Sequence, residues 1–106
     1  MKVTRLLAAA LLVASPIAFA SGDPAVGKKK SAPCAACHGA EGVSPSPDFP
    51  NLAGQHADYL EQALKHYKNG KRKNPIMAEQ VKALSGKDMQ DLAAYFSSQR
   101  GLLTKY

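Results

Sequence analysis

The strongest constraint on this chain lies in ten residues, PCAACHGAEG, from Pro33 to Gly42. The two cysteines of the sequence, Cys34 and Cys37, stand here, and His38 follows at once. Three chemistries that use paired thiols fit the surroundings poorly. A thioredoxin-like redox pair needs a βαβ context, and no convincing strand run is present. A zinc site needs four ligands at tetrahedral spacing, whereas the other nitrogen donors, His56 and His66, are not spaced as a pair. A Cys34–Cys37 disulfide would close a very small loop, restrain little of the chain and leave His38 without a purpose.

The fourth chemistry accounts for all three residues. Thiols at i and i+3 can reach the two vinyl groups of one porphyrin, and the adjacent imidazole can then bind iron from below. C-x-x-C-H is the signature of c-type haem attachment, and a proximal histidine is a common haem ligand. The amino-terminal residues agree with this reading, because such haem is attached outside the cytoplasm. Lys2 and Arg5 precede the apolar run LLAAALLVA, Pro16 interrupts it, and AFA ends at Ala20. That is the layout of a secretory signal peptide over residues 1–20, with cleavage expected after Ala20. Leu6 to Ala20 is short of the roughly 20 residues a spanning helix needs, so stable membrane insertion is not expected. Residues 21–106 would form one small domain, of a size that often needs a staple beyond its apolar core. Without Lys2 and Arg5 the 14 basic residues become 12 against 8 acidic ones, a net charge of +4.

The rest of the chain predicts helices joined by loops. Asp23 caps a first helix that has Pro24 at its first position, where a missing N–H costs nothing. Pro33 should push Ala32 away from helical angles and end or bend that helix. GVSPSPDFPN, residues 42–51, is expected to be an ordered loop. HADYLEQALKHYKNG places Tyr59, Leu60, Ala63, Leu64 and Tyr67 on one stripe, and Gly70 supplies a left-handed stop. Asn74 and Pro75 start a short helix near Met77. Ser85 and Asp88 make a capping-box pattern before a last helix, in which Met89, Leu92, Ala93 and Phe96 recur at helical spacing. The class is all-α.

An iron held by His38 has a sixth position to fill. The sulfur donors of residues 21–106 are Met77 and Met89. Met89 lies in the apolar stripe and reads as core. Met77 sits at a loop-to-helix junction that could lay a flexible thioether over the far face of the ring. His56 and His66 are the competing donors, and an open site is the remaining alternative.

The segments GDPAVGKKK, CAACHG, FPNLAGQ, HADYLEQALKHYKNGKR, NPIMAEQ and LSGKDMQDLAAYFSSQ together resemble the class I c-type cytochromes of the short soluble bacterial kind. They are also similar to one half of the tandem di-haem cytochromes. The resemblance covers residues 21 to 100 and implies a small cytochrome c fold, three to five helices around one covalent haem c. It implies that Cys34 and Cys37 carry the thioethers, that His38 is the proximal iron ligand and that Met77 is the distal one. It also implies that the Pro50 carbonyl accepts a hydrogen bond from the ligand imidazole and that Leu52 packs on the ring. Gly27 should cross an aromatic residue of the last helix, Tyr95 or Phe96, because close helix approach favours a residue without a side chain. Pro33 directly before the first cysteine departs from the family pattern.

The expected function is one-electron transport in the periplasm by a monomer, not an enzyme. The alternative is a haem-binding sensor, or a subunit of a larger redox enzyme, in which the methionine can be displaced. Expected partners are acidic-surfaced redox proteins such as a membrane oxidase or reductase. KHYKNGKRKN, with Lys65, Lys68, Lys71, Arg72 and Lys73, reads as their landing patch or as plain solvated surface. Nucleic-acid binding does not suit an exported protein.

Overall fold

The computed structural model describes residues 22–101, so the expected signal segment, residues 1–20, lies outside the described residues. Five helices follow one another, α1 (Pro24–Lys30), α2 (Ala32–His38), α3 (Ala57–Asn69), α4 (Pro75–Val81) and α5 (Gly86–Ser98), and no strand occurs among the described residues. None of these helices is long and apolar enough to cross a membrane.

The helix starts follow from side-chain caps that satisfy the first free N–H groups. Asp23 accepts from the amides of Ala25 and Val26. Asn74 does the same for Ile76 and Met77. At α5 the full capping box forms, with Ser85 Oγ accepting from Asp88 N and the Asp88 carboxylate accepting from Ser85 N. Gly70 ends α3 in the left-handed region at φ 83°.

Pro33 behaves differently from the sequence expectation. Ala32 is not pushed out of helical angles but is the first residue of α2, with Pro33 in the first turn. A proline in a first turn removes a donor that has no helical partner in any case. The break falls one residue earlier, at Ser31 (φ −79°, ψ −7°), whose hydroxyl donates to the Lys28 carbonyl at 2.7 Å. The first helix thus ends just before Ser31, close to the end or bend expected at Pro33, and a second short helix carries both cysteines and His38.

The core is built on α5, where every residue from Met89 to Phe96 except Gln90 is buried. Gly27 on α1 meets this helix so closely that a Cβ there would overlap the Asp91 backbone and lie 2.8 Å from Cβ of Tyr95. The crossing is also bound ionically. Asp91, fully buried, accepts from the Asp23 amide at 2.8 Å and from Lys30 Nζ at 2.7 Å, and Lys87 joins it from one turn earlier. Lys30 also reaches Asp88 at 2.7 Å. Hydrogen bonds to these lysines hold the Asp91 carboxyl well below the usual range, and Lys30, with Ser85, brings Asp88 down to about 2.

The α3 stripe is less buried than its periodicity suggests. Leu60 packs into the α5 core, whereas Leu64 and Tyr67 are half-buried and Tyr59 is 49% exposed. The reason is that these side chains face a cleft.

Candidate cofactor site

The cleft, of about 440 Å³, opens between α2, the loop over residues 48–55, α3, α4 and α5. Cys34, Cys37 and His38 line it from α2, Leu60 and Leu64 from α3, Met77 from α4, and Leu92, Ala93 and Phe96 from α5. Its walls are thus apolar apart from a few polar groups.

The polar groups are aimed by turns that the sequence specifies. Gly39 ends α2 at φ 82°, and a Cβ there would overlap the Val43 carbonyl, so the chain reverses tightly after His38. Gly42 follows at φ 80°, and its carbonyl accepts from the amides of Leu52 (2.7 Å) and Ala53 (3.1 Å). Tyr95 of α5 donates its hydroxyl to the Ala40 carbonyl at 2.7 Å. These ties fold the loop back onto α2 and bring the Pro50 carbonyl 2.9 Å from Nδ1 of His38. A carbonyl can only accept, so Nδ1 must carry the proton, and Nε2 keeps its lone pair for a metal. The ring is buried, with Phe49 edge-on at 6.5 Å between centroids.

Cys34 and Cys37 are not joined in a disulfide. Burial, aided by the neighbouring Cys37, pushes the Cys34 thiol up. No strand occurs among the described residues, so the βαβ context of a thioredoxin-like pair is lacking. Met77 is half-buried and lines the cleft from α4, a helix positioned by the Asn74 cap. Met89 is buried in the core and does not line the cleft. His56 and His66 do not line it either. Leu52 does, at the foot of the Pro50 turn.

Two cysteine thiols, an imidazole with a free Nε2, a methionine thioether and an apolar cleft make a donor set that fits a covalently held haem. Sequence reasoning missed part of the lining. Tyr59 and Tyr67 were read only as part of the α3 stripe, and Arg72 only as part of a basic surface segment. Arg72, although exposed, lies over the Tyr67 ring, 4.9 Å from its centroid, and donates to the Tyr59 hydroxyl at 3.2 Å. Within the basic segment, Lys65 pairs with Glu61 at 2.9 Å and Lys68 donates to the Leu84 carbonyl. Lys71 and Lys73 remain exposed. Nothing at the i, i+5 spacing of Tyr67 and Arg72 announces the fold-back, which depends on the Gly70 turn.

Known proteins resemble this chain over most of its described length. The family model described as Cytochrome c matches residues 25–100. The chain is 49% identical over 84 residues to cytochrome c4 of Pseudomonas aeruginosa, a match covering 79% of this chain and 42% of that protein. It is 45% identical over 82 residues to cytochrome c-554(548) of Halomonas halodenitrificans, covering 74% of this chain and 99% of that protein. The crystal structure of reduced recombinant cytochrome c4 from Pseudomonas stutzeri superposes with a TM-score of 0.73 at 44% identity, over 76% of this chain and 47% of that one. The chain therefore spans less than half the length of these cytochrome c4 relatives and matches nearly all of the shorter cytochrome.

Proposed function

Since the chain belongs to the cytochrome c family, whose cofactor is haem c, we propose that it is a periplasmic one-electron carrier. In this reading Cys34 and Cys37 hold the haem, and His38 and Met77 are its axial ligands. The bound haem supplies the reversible one-electron couple of its iron. The protein's part is to hold, orient and shield. The observation that carries the reading is the 2.9 Å bond from His38 Nδ1 to the Pro50 carbonyl, which turns Nε2 into a donor, in a cleft also lined by Met77. That hydrogen bond fixes the tautomer and the ring plane. Leu52, at the same turn, would pack on the ring. A His/Met pair raises the reduction potential relative to other ligand sets and leaves no coordination place for a substrate, so the protein is read as a carrier rather than an enzyme.

The residues 1–20 pattern supports export. For partners we propose acidic-surfaced redox proteins, met by a monomeric carrier. Lys65, Lys68, Lys71, Arg72 and Lys73 are all exposed in the segment leading to Met77. Charges of one sign near a redox cleft raise encounter rates by roughly 10- to 1,000-fold at low salt.

Carbon monoxide tests the ligation. The reduced protein should bind it slowly at neutral pH, and the oxidised protein should show a sulfur-to-iron charge-transfer band that Met77→Ala removes. Rapid carbon monoxide binding by the unaltered protein would mean that Met77 yields its place. It would favour a haem sensor or a redox-enzyme subunit.

A further inference from the structure

The hydrogen bond that aims His38 has two ends, and one pair of loop residues touches both. Its acceptor is the carbonyl of the peptide unit joining Pro50 to Asn51, so the two residues flanking that unit set its direction. On one side the pyrrolidine ring fixes φ of Pro50. On the other, Oδ1 of Asn51 accepts from the backbone N–H of Ser44 at 2.6 Å. The Ser44 hydroxyl in turn faces the Cys37 carbonyl at 3.1 Å and the Ser46 carbonyl at 2.7 Å, and its one proton is shared between the two. Cys37 is the residue before His38, and its carbonyl lies in the last turn of α2, where no helical donor remains. Ser44 and Asn51 thus make a bridge from the donor's backbone to the acceptor's peptide.

The other bonds of this loop act elsewhere. Phe49 donates its amide to the Ser46 carbonyl at 3.2 Å, and the amides of Leu52 and Ala53 meet the Gly42 carbonyl. They anchor the chain before Pro50 and after Asn51, and the Asn51 side chain holds the stretch between. Without that hold the peptide bearing the Pro50 carbonyl is free to tilt, and the 2.9 Å bond to Nδ1 lengthens. That bond feeds electron density to Nε2 and makes the imidazole a stronger donor. A stronger donor favours ferric over ferrous iron. We propose that Asn51 is a positioning residue which, through Ser44, sets the donor strength of His38 and so holds down the reduction potential. The proposal rests on the haem reading and deepens it at the proximal ligand. Asn51 is exposed at the cleft rim, so replacing it leaves the core intact.

The test compares the haem-bearing parent with Asn51→Ala, Asn51→Asp and Ser44→Ala by two readouts. One is the reduction potential, and the other is the chemical shift of the His38 Nδ1 proton in the diamagnetic reduced state. Asn51→Ala removes the acceptor. Its potential should rise by up to about tenfold in the redox equilibrium constant, the lower end of what outer partners of a metal ligand contribute, and tenfold is 59 mV for one electron. Its proton signal should move upfield as the bond lengthens. Ser44→Ala cuts the bridge at the Cys37 end and should move both readouts the same way. Asn51→Asp keeps the acceptor oxygen, so its proton signal should stay at the parental position, while the added negative charge keeps the potential from rising. A merely structural loop bond would lower stability and leave both readouts where they were. Parental potential and parental proton shift in the haem-bearing alanine variants would therefore overturn the proposal and reduce the bridge to a staple of the loop. If Asn51→Ala does not hold haem, Ser44→Ala decides by the same two readouts. A parent chain that takes up no haem would instead sink the reading on which the proposal rests.

Discussion

Replacing Gly27 by alanine is the sharpest probe of how this small domain stays closed. The new Cβ would overlap the Asp91 carbonyl and sit 2.8 Å from Cβ of Tyr95, where ordinary contact begins near 3.4 Å. Both atoms belong to α5, so neither can swing away as a flexible side chain would. The two helix axes must part by ~1 Å, an overpacking cost of about 1–3 kcal/mol. The same movement stretches the Asp23 amide bond to the buried Asp91 carboxylate from 2.8 Å past hydrogen-bond length. Losing a hydrogen bond to a charged group costs about 1.5–3 kcal/mol. Alanine recovers about 1 kcal/mol of helix propensity over glycine. The balance is a loss of about 1.5–5 kcal/mol.

The assay is urea unfolding of the haem-bearing protein, followed by far-ultraviolet circular dichroism, with Gly86→Ala as control. Gly86 opens α5, and a Cβ there meets nothing within 4 Å. That substitution should be neutral or stabilise by up to about 1 kcal/mol. In a thermal scan Gly27→Ala should lower Tm by at least about 6 °C for a domain of this size. A Gly27→Ala protein within about 0.5 kcal/mol of the parent would refute the reasoning, because it would show that α1 and α5 can separate freely.

The remaining predictions concern the cofactor, the ligand, the charge cluster and docking. The purified protein should keep its colour through acid–acetone extraction, and its mass should equal residues 21–106 plus one haem; extractable haem or freely alkylated thiols would contradict covalent attachment. Met89→Ala should leave the sulfur-to-iron band intact and destabilise the fold by about 2–5 kcal/mol, as truncation of a buried methionine does, whereas loss of that band would move the ligand to Met89. The carboxyls of Asp88 and Asp91 are lowered in the folded protein, so the unfolded chain binds more protons; stability should therefore fall as pH drops from about 4 towards 2, and Asp91→Asn should flatten that fall relative to the parent. Electron exchange with a membrane oxidase preparation should slow as salt rises, since the Debye length shrinks from about 30 Å at 0.01 M to about 8 Å at 0.15 M, and reversal of Lys71 and Lys73 to glutamate should flatten the dependence.

Local chemistry was legible in the sequence and distant contact was not. Asp23, Asn74 and the Ser85–Asp88 box act on amides within three residues, and Gly70 stops α3 by its own backbone. Pattern alone therefore placed these helix ends. Gly27 was legible through the resemblance, because a glycine beside an aromatic has a clear packing use. Pro33 misled because its effect on Ala32 depends on whether a second helix begins there, and Ser31 took up the break instead. The α3 stripe has the period of a core helix, yet four of its side chains line the cleft, and periodicity cannot tell a protein wall from a cofactor wall. Asp91 looks like one more polar residue in α5. Its burial makes sense through Lys30, 61 residues earlier in the chain.

The placement of Asp91 and Tyr95 shows why fold and site are one problem in this chain. Leu92, Ala93 and Phe96 turn one face of α5 to the cleft. Asp91 and Tyr95, four residues apart and so on a neighbouring face, bind α1 and the Ala40 carbonyl. The loop tied down by Tyr95 is the loop whose Pro50 carbonyl orients His38. One helix thus sets the cleft wall with one face and, through the loop, the hydrogen bond of His38 with the other. A carrier gains from that economy, because an iron whose ligands are held by a rigid frame needs little rearrangement when it takes up or gives off an electron. Damage at the α1–α5 crossing should accordingly be felt at the iron, as a shifted potential in Gly27→Ala while the mutant is still folded. A mutant that lost stability without any change in potential would show that the frame and the site are independent.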